Sequence, residues 1–286
     1  MPNLNTYQFD KNAVIQAIIM SPPGKGKTSL AATFPRPLFW DFDGKVEVAR
    51  NPRFLRKYGV RSIIYEKFPE PAVADPKKMP TAYAKACLFF DEWTAPGKIN
   101  QWDTAVIDSG TTLSIVARCQ ALMILGKLQR SKTLEKAQLH GMEAMEQSDW
   151  GAERSLVEKF VKQLLDTGKN VLLLVHEKEV VKNGVTEIMP LFTGDSKTVI
   201  PAMFKDVWQL RPTIQNNQPA IKLVASPIGN VQVRSELGLD EVIDPDYEKI
   251  ISRLHRLQDE ALLASKPVDG GIPSTVPQGT TVPAIP

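Results

Sequence analysis

The sequence predicts an α/β fold with a central, mostly parallel sheet flanked by helices, and three observations carry that prediction. A strand-like apolar run at 14–20 passes through Ser21-Pro22-Pro23-Gly24-Lys25-Gly26-Lys27-Thr28 into a short helix-like run at 29–34. A second short apolar run, Ala105-Val106-Ile107, closes on Asp108. Around and beyond them, strand-like and helix-like segments alternate along the chain, the pattern from which parallel sheets with crossover helices are built.

Composition allows such a core and excludes several other classes. The chain has 286 residues, 43% hydrophobic and 23% charged, enough for one sizeable domain with additions. A net charge of +3 permits nucleic-acid contact without the dense basic footprint of a dedicated binder. Cys87 and Cys119 lie in helix-like segments with no CxxC or His-Cys cluster, so they read as core thiols of a reducing compartment. The run at 14–20 is too short to span a membrane and breaks at Pro22-Pro23-Gly24, and no signal peptide is evident; a cytoplasmic location is expected.

The elements follow in order. Residues 1–12 read as a polar lead-in, ahead of one domain over 13–264. In the octapeptide, Gly24 and Gly26 let backbone N–H groups curl around a phosphate, Lys27 neutralises β- and γ-phosphate charge, and the Thr28 hydroxyl is placed to ligate Mg²⁺. This is a P-loop with Ser21 where a glycine is usual, and Ser29 continues it into the helix. Pro35 and Pro37 end that helix, and a strand from 37 closes on Asp41-Phe42-Asp43-Gly44. Strand ends beside the phosphate loop are where such sheets display their chemistry, so Asp43 is the preferred water-activating group, with Asp41 as a supporting or alternative carboxylate.

A linking region then holds a strand at 60–65 and a proline-dotted loop at 68–80. The helix after it carries Tyr83, Ala86, Cys87 and Phe90 on one face and stops at Pro96-Gly97. Asp108 ends the next strand in the Walker B position, where a carboxylate holds Mg²⁺. A helix at 113–125 leads into 126–140, which carries Lys127, Arg130, Lys132 and Lys136. The spacing of Leu156, Val157, Phe160, Val161, Leu164 and Leu165 predicts a helix over 152–167 packed on the sheet. A strand at 171–175 ends in His176-Glu177, and Asn183-Gly184 predicts a hairpin followed by a loop to 197. Strands at 204–210 and 221–225 extend the sheet, and a helix opened by Asp244-Pro245 runs to 264. Residues 265–286, with Pro267, Pro273, Pro277, Pro283 and Pro286 and little apolar surface, read as a disordered tail.

Taken together, Ser21-Pro22-Pro23-Gly24-Lys25-Gly26-Lys27-Thr28, Phe39-Trp40-Asp41-Phe42-Asp43, Val106-Ile107-Asp108-Ser109 and Leu172-Leu173-Leu174-Val175-His176-Glu177 resemble the RecA-like core over roughly residues 13–212. The likeness is to phage-encoded AAA-type nucleotide-binding proteins, including RecA-like recombinases that support single-strand annealing. Asp41-Phe42-Asp43-Gly44 matches that group's Asp-x-Glu-Gly with Asp in place of Glu. The resemblance implies DNA-dependent ATP hydrolysis with Mg²⁺, His176 as a γ-phosphate sensor, and DNA-binding loops containing Lys127, Arg130, Lys132, Lys178, Phe192 and Lys197. As partners it implies single-stranded DNA, a single-strand-binding protein and further copies of the chain, in a bacterial host's cytoplasm. Two other readings stay open: a P-loop kinase acting on a small molecule, and a nucleotide-gated binding or assembly protein with little turnover.

Overall fold

A computed structural model describes residues 14–60, 62–75, 78–127, 149–182, 184–227 and 229–264. The lead-in at 1–12, most of the basic 126–140 stretch and the tail at 265–286 lie outside the described residues.

Parallel strands form the centre of one sheet: β1 (Gln16–Ser21), β2 (Pro37–Asp41), β3 (Ile64–Lys67), β4 (Thr104–Asp108) and β5 (Asn170–Lys182). β6 (Val185–Pro190) folds back on β5. β7 (Asp206–Gln215) joins β1 in parallel; β8 (Gln218–Val224), β9 (Arg234–Ser235) and β10 (Glu241–Ile243) add antiparallel pairs at that side. The order is β10-β8-β7-β1-β5-β4-β2-β3. β5 therefore sits between the strand that feeds the phosphate loop and the strand that ends in Asp108. Register does the rest, pairing Ser21 with His176 and Asp41 with Asp108. All four residues stand at the same carboxyl edge of the sheet.

Both faces of β1, β2, β4 and the first half of β5 are covered, and so their sequences read as continuous apolar runs. Ile15, Ala17, Ile19, Phe39, Val106, Leu172 and Leu174 pack toward α1 (Lys27–Ala32) and α8 (Tyr247–Ala264), through Leu30, Ala31, Ile250 and Leu254. Alternate residues Ile18, Met20, Leu38, Trp40, Ile107, Leu173 and Val175 face the other layer. That layer is α4 (Ala82–Thr94), α5 (Gly110–Ile124) and α6 (Trp150–Leu165), which supply Ala86, Val116, Ala117, Phe160 and Leu164. Trp40 shows how polar atoms are accommodated there: fully buried, its indole N–H donates to the Ala86 carbonyl at 3.1 Å.

Several boundaries differ from the sequence expectation. The linking region contains a helix, α2 (Pro52–Tyr58), capped by the Asn51 side chain, which accepts the Arg53 N–H at 2.9 Å. The proline-dotted loop contains a short α3 (Pro71–Ala74), where Glu70 accepts the N–H groups of Ala72 and Ala82. β3 runs later than 60–65. β5 does not stop at Val175 but continues to Lys182 as one arm of the hairpin. β7 and β8 both reach the turn at Asn216-Asn217, whose φ of 51° and 58° belong to a two-residue hairpin turn. A final short helix, α7 (Ser196–Ala202), occupies part of the expected loop.

Cys87 and Cys119 are free and partly buried on α4 and α5. Burial raises both thiols, Cys119 to about 11. The thiolate is the reactive form, so at pH 8 Cys119 should react on the order of 10²-fold more slowly than an ordinary cysteine. Colorimetric thiol titration of native against denatured protein measures this; equal rates would mean the two helices are not packed as described. Among the described residues, no helix is long and apolar enough to cross a membrane.

Candidate functional site

The phosphate loop turns between β1 and α1 because Gly24 and Gly26 take φ of 73° and 85°, left-handed conformations that side chains disfavour. The loop thus delivers the unpaired N–H groups of the α1 first turn to a cleft. Pro23, Gly24, Lys25, Gly26, Lys27, Thr28 and Ser29 line it from one side, and Asp43, Lys45, Asp108 and His176 from the other.

Within the loop, Lys27 is buried and donates from Nζ to the Ser21 carbonyl (2.9 Å), Ser21 Oγ (3.1 Å) and the Pro22 carbonyl (3.2 Å). Burial lowers its pKa to about 8, and the charges of Asp108, Asp43 and Glu177 oppose that shift. Ser21, the departure from the usual glycine, so supplies a hydroxyl that helps hold the ammonium.

Thr28 and Asp108 meet across the sheet edge, the hydroxyl donating to Asp108 Oδ2 at 2.6 Å. Burial first, and the carboxylates Asp43 and Asp41 second, push Asp108 up to about 6; the Thr28 hydrogen bond works the other way. A hydroxyl and a carboxylate, both hard oxygen donors, brought together at the mouth of a phosphate cleft fit Mg²⁺, which takes one or two protein oxygens and completes its shell with phosphate and water.

The two acidic residues after β2 have different surroundings. Asp41 is fully buried, and its oxygens accept the N–H groups of Lys45 (3.1 Å) and Val46 (3.2 Å), so it shapes the turn. Asp43 comes to the cleft because the N–H groups of Phe42 and Asp43 donate to the Asp108 carbonyl at 2.7 and 3.1 Å. Its Oδ1 accepts from Ser109 Oγ at 3.0 Å and from Thr112 Oγ1. Its Oδ2 faces Lys45 Nζ at 3.5 Å and His176 Nε2 at 4.0 Å. One oxygen is fixed and the other looks into the cleft. Gly110 permits this, since a Cβ there would lie 2.6 Å from Leu173 Cδ1 and force the first turn of α5 away from the sheet.

His176 is anchored through its backbone N–H, which donates to Thr111 Oγ1 at 3.2 Å. Burial and the Lys27 charge lower its pKa, favouring neutral imidazole. Glu177 accepts from Gln209 Nε2 at 2.9 Å and is turned toward β7. Lys45 and Thr112 were not among the residues singled out from the sequence, and Ser109 entered only as the end of the run closing on Asp108; Ser109 and Thr112 resemble ordinary helix-cap hydroxyls, and nothing local marks Lys45.

The candidate DNA contacts are less assembled. Lys127 is ion-paired with Asp149 at 2.6 Å, while Arg130 and Lys132 lie outside the described residues. Lys178 sits on the β5–β6 hairpin opposite Met189, and Lys197 is exposed on α7. Phe192 is a correction: only 3% exposed, it packs into the core against the α4–α6 layer and offers no face to a base. Apolar burial wins over a solvent-exposed aromatic platform here.

A second cleft adjoins the loop at Lys25, Gly26 and Ser29. Phe54 and Tyr58 of α2 and Ile221 of β8 line it. The Phe54 and Tyr58 rings lie 4.8 Å apart between centroids.

The strand order, the loop on β1, and Asp108 at the end of β4 with β5 between them define a RecA-like P-loop NTPase, a nucleotide-binding fold generally associated with ATPase activity. Within that class the chain belongs to an AAA domain family, whose model matches residues 13–211. It is also similar to the KaiC-like protein PH0186 from the hyperthermophilic archaeon Pyrococcus horikoshii OT3, at 14% identity over 80% of this chain and 88% of that one, with a TM-score of 0.38. No curated protein matches.

Proposed function

We propose that the chain binds ATP with Mg²⁺ in the loop cleft, hydrolyses it, and couples the cycle to single-stranded DNA in annealing, recombination or replication. The observation that carries the ATPase reading is the meeting of Lys27, the Thr28–Asp108 pair and the open oxygen of Asp43 in one cleft. Phosphates draw Lys27 from its carbonyl acceptors. Thr28 and Asp108 would hold Mg²⁺, which would supply charge neutralisation at the phosphate oxygens. Asp43 Oδ2 orients a water and takes its proton, while Ser109 and Thr112 keep the carboxylate in place. His176, neutral beside Asp43, is positioned to sense the terminal phosphate, and the base lies against Phe54 and Tyr58.

For DNA, the support is the position of Lys178 and Lys197 on the hairpin and α7 that follow His176, together with the resemblance to phage recombinases. Further copies of the chain and a single-strand-binding protein are the partners this reading names, in a bacterial cytoplasm. ATP turnover measured with and without a single-stranded oligonucleotide tests it, alongside anisotropy over a salt series. The expected result is stimulated turnover and an affinity whose logarithm falls with log salt at about −0.7 per neutralised phosphate. Turnover indifferent to DNA, with no binding at low salt in any nucleotide state, would remove the DNA part and leave the ATPase.

A nucleotide-gated binder with little turnover is the second reading. It is favoured by one observation: Asp43 is a methylene shorter than the Glu of the related motif, and its open oxygen is engaged by Lys45. Tight ATP binding without measurable hydrolysis would select it.

A further inference from the structure

The nucleotide reading leaves Lys45 at the cleft without a role, and we propose one: it is an exchange cation that holds the open oxygen of Asp43 while the cleft lacks a terminal phosphate and moves to that phosphate when ATP enters. This inference rests on the proposed ATPase function and goes beyond it in naming how the carboxylate is released.

The geometry begins with Asp41. By accepting the backbone N–H groups of Lys45 and Val46, its buried carboxylate fixes the root of the Lys45 side chain at the rim of the phosphate cleft. The side chain itself is 65% exposed and free to swing. Its ammonium lies 3.5 Å from Asp43 Oδ2, the oxygen that Ser109 and Thr112 leave open. A 3.5 Å pair whose ammonium stays largely in solvent while only the carboxylate is buried is readily exchanged. The other titratable groups lining the same space are Lys25, Lys27, Asp108 and His176. Of the three lysines, Lys27 is buried and tied to the loop carbonyls and Lys25 stands on the phosphate loop itself, so Lys45 is the one whose ammonium reaches the open oxygen of Asp43 and can move from it.

A terminal phosphate carries more charge than one carboxylate and offers three acceptor oxygens, so it is the stronger partner for the ammonium. The exchange has two consequences at once. Lys45 grips the terminal phosphate, and Asp43 Oδ2 becomes free to take a water. ADP lacks that phosphate and leaves the pair closed. Lys45 would thereby discriminate triphosphate from diphosphate and prevent Asp43 from acting without substrate.

The test compares wild type, Lys45→Met and Lys45→Arg by calorimetric titration with Mg-ADP and with a non-hydrolysable ATP analogue, and by steady-state turnover. Lys45→Met should lose about tenfold or more in affinity for the analogue, the scale of one charge-assisted hydrogen bond. Its affinity for ADP should stay within about twofold, because no contact to the diphosphate is lost. Its kcat at saturating ATP should fall as well, and Lys45→Arg should restore both the analogue affinity and kcat. An unchanged ratio of analogue to ADP affinity in Lys45→Met would overturn the proposal, as would an equal loss for both nucleotides, which indicates general attraction to charge. Wild-type protein that binds neither nucleotide would instead overturn the nucleotide reading, and Lys45 with it.

Discussion

Lys27→Ala should abolish measurable ATP turnover. The ammonium sits at the base of the phosphate cleft with three oxygen acceptors that a phosphate can replace, and no other buried lysine lies there among the described residues. Losing it removes a charge-assisted contact worth about 1.5–3 kcal/mol in the bound state and more where charge develops in the transition state. The protein should stay folded. Burial already disfavours the charged form of Lys27, as its lowered pKa indicates, so the alanine variant escapes a desolvation cost even as it gives up hydrogen bonds. A malachite-type phosphate assay with a melting curve for each protein measures both. Parent-rate hydrolysis by a folded Lys27→Ala would show that the loop is not the catalytic nucleotide site. Asp108→Asn should fail in the same way, through loss of the Mg²⁺ ligand.

The second large effect separates two carboxylates that are two residues apart. Asp43→Asn should keep ATP affinity within a few-fold while kcat falls by about 10² or more, the usual scale for a lost general base. Asp41→Asn should act on folding instead. Both of its oxygens accept backbone N–H groups in a fully buried site, and an amide NH₂ facing one of those donors leaves it unsatisfied, at a cost of about 1–3 kcal/mol. For a chain of this size that lowers the melting temperature by about 2–4 °C per kcal/mol. An intact kcat in Asp43→Asn with a collapsed kcat in a well-folded Asp41→Asn would transfer the base to Asp41. Intact turnover in both would mean that neither carboxylate activates water.

The elements that the sequence made legible are those whose signal is local and strong. β1, β2, β4 and the first half of β5 are buried on both faces, and their unbroken apolar runs say so directly. α2 escaped notice because it is only seven residues long, with none of its side chains fully buried and only Phe54, Leu55 and Tyr58 apolar, too little to stand out as a stripe, although Asn51, Pro52 and Gly59 cap it. The second half of β5 escaped for a related reason: past His176 it pairs only with β6, and its partly exposed residues alternate too weakly to extend the strand pattern. Phe192 shows the limit for single residues. An aromatic side chain in a polar stretch can face a ligand or a core, and packing against α4–α6 decides between them.

By itself, then, the sequence determined the phosphate loop, the strand-end carboxylates and the α/β alternation, because glycine geometry, a lysine–threonine pair and buried apolar runs act over a few neighbouring residues. Only the tertiary structure decided which carboxylate faces the cleft. Asp41 and Asp43 have the same chemistry, and their difference comes from their partners: for Asp43 Ser109 and Thr112 at the start of α5, distant in the chain, and for Asp41 the backbone of its own turn. The same holds for His176, which meets Asp43 because strand order and register bring separated segments to one edge of the sheet, whereas Lys45, two residues from Asp43, is held there by the turn around Asp41.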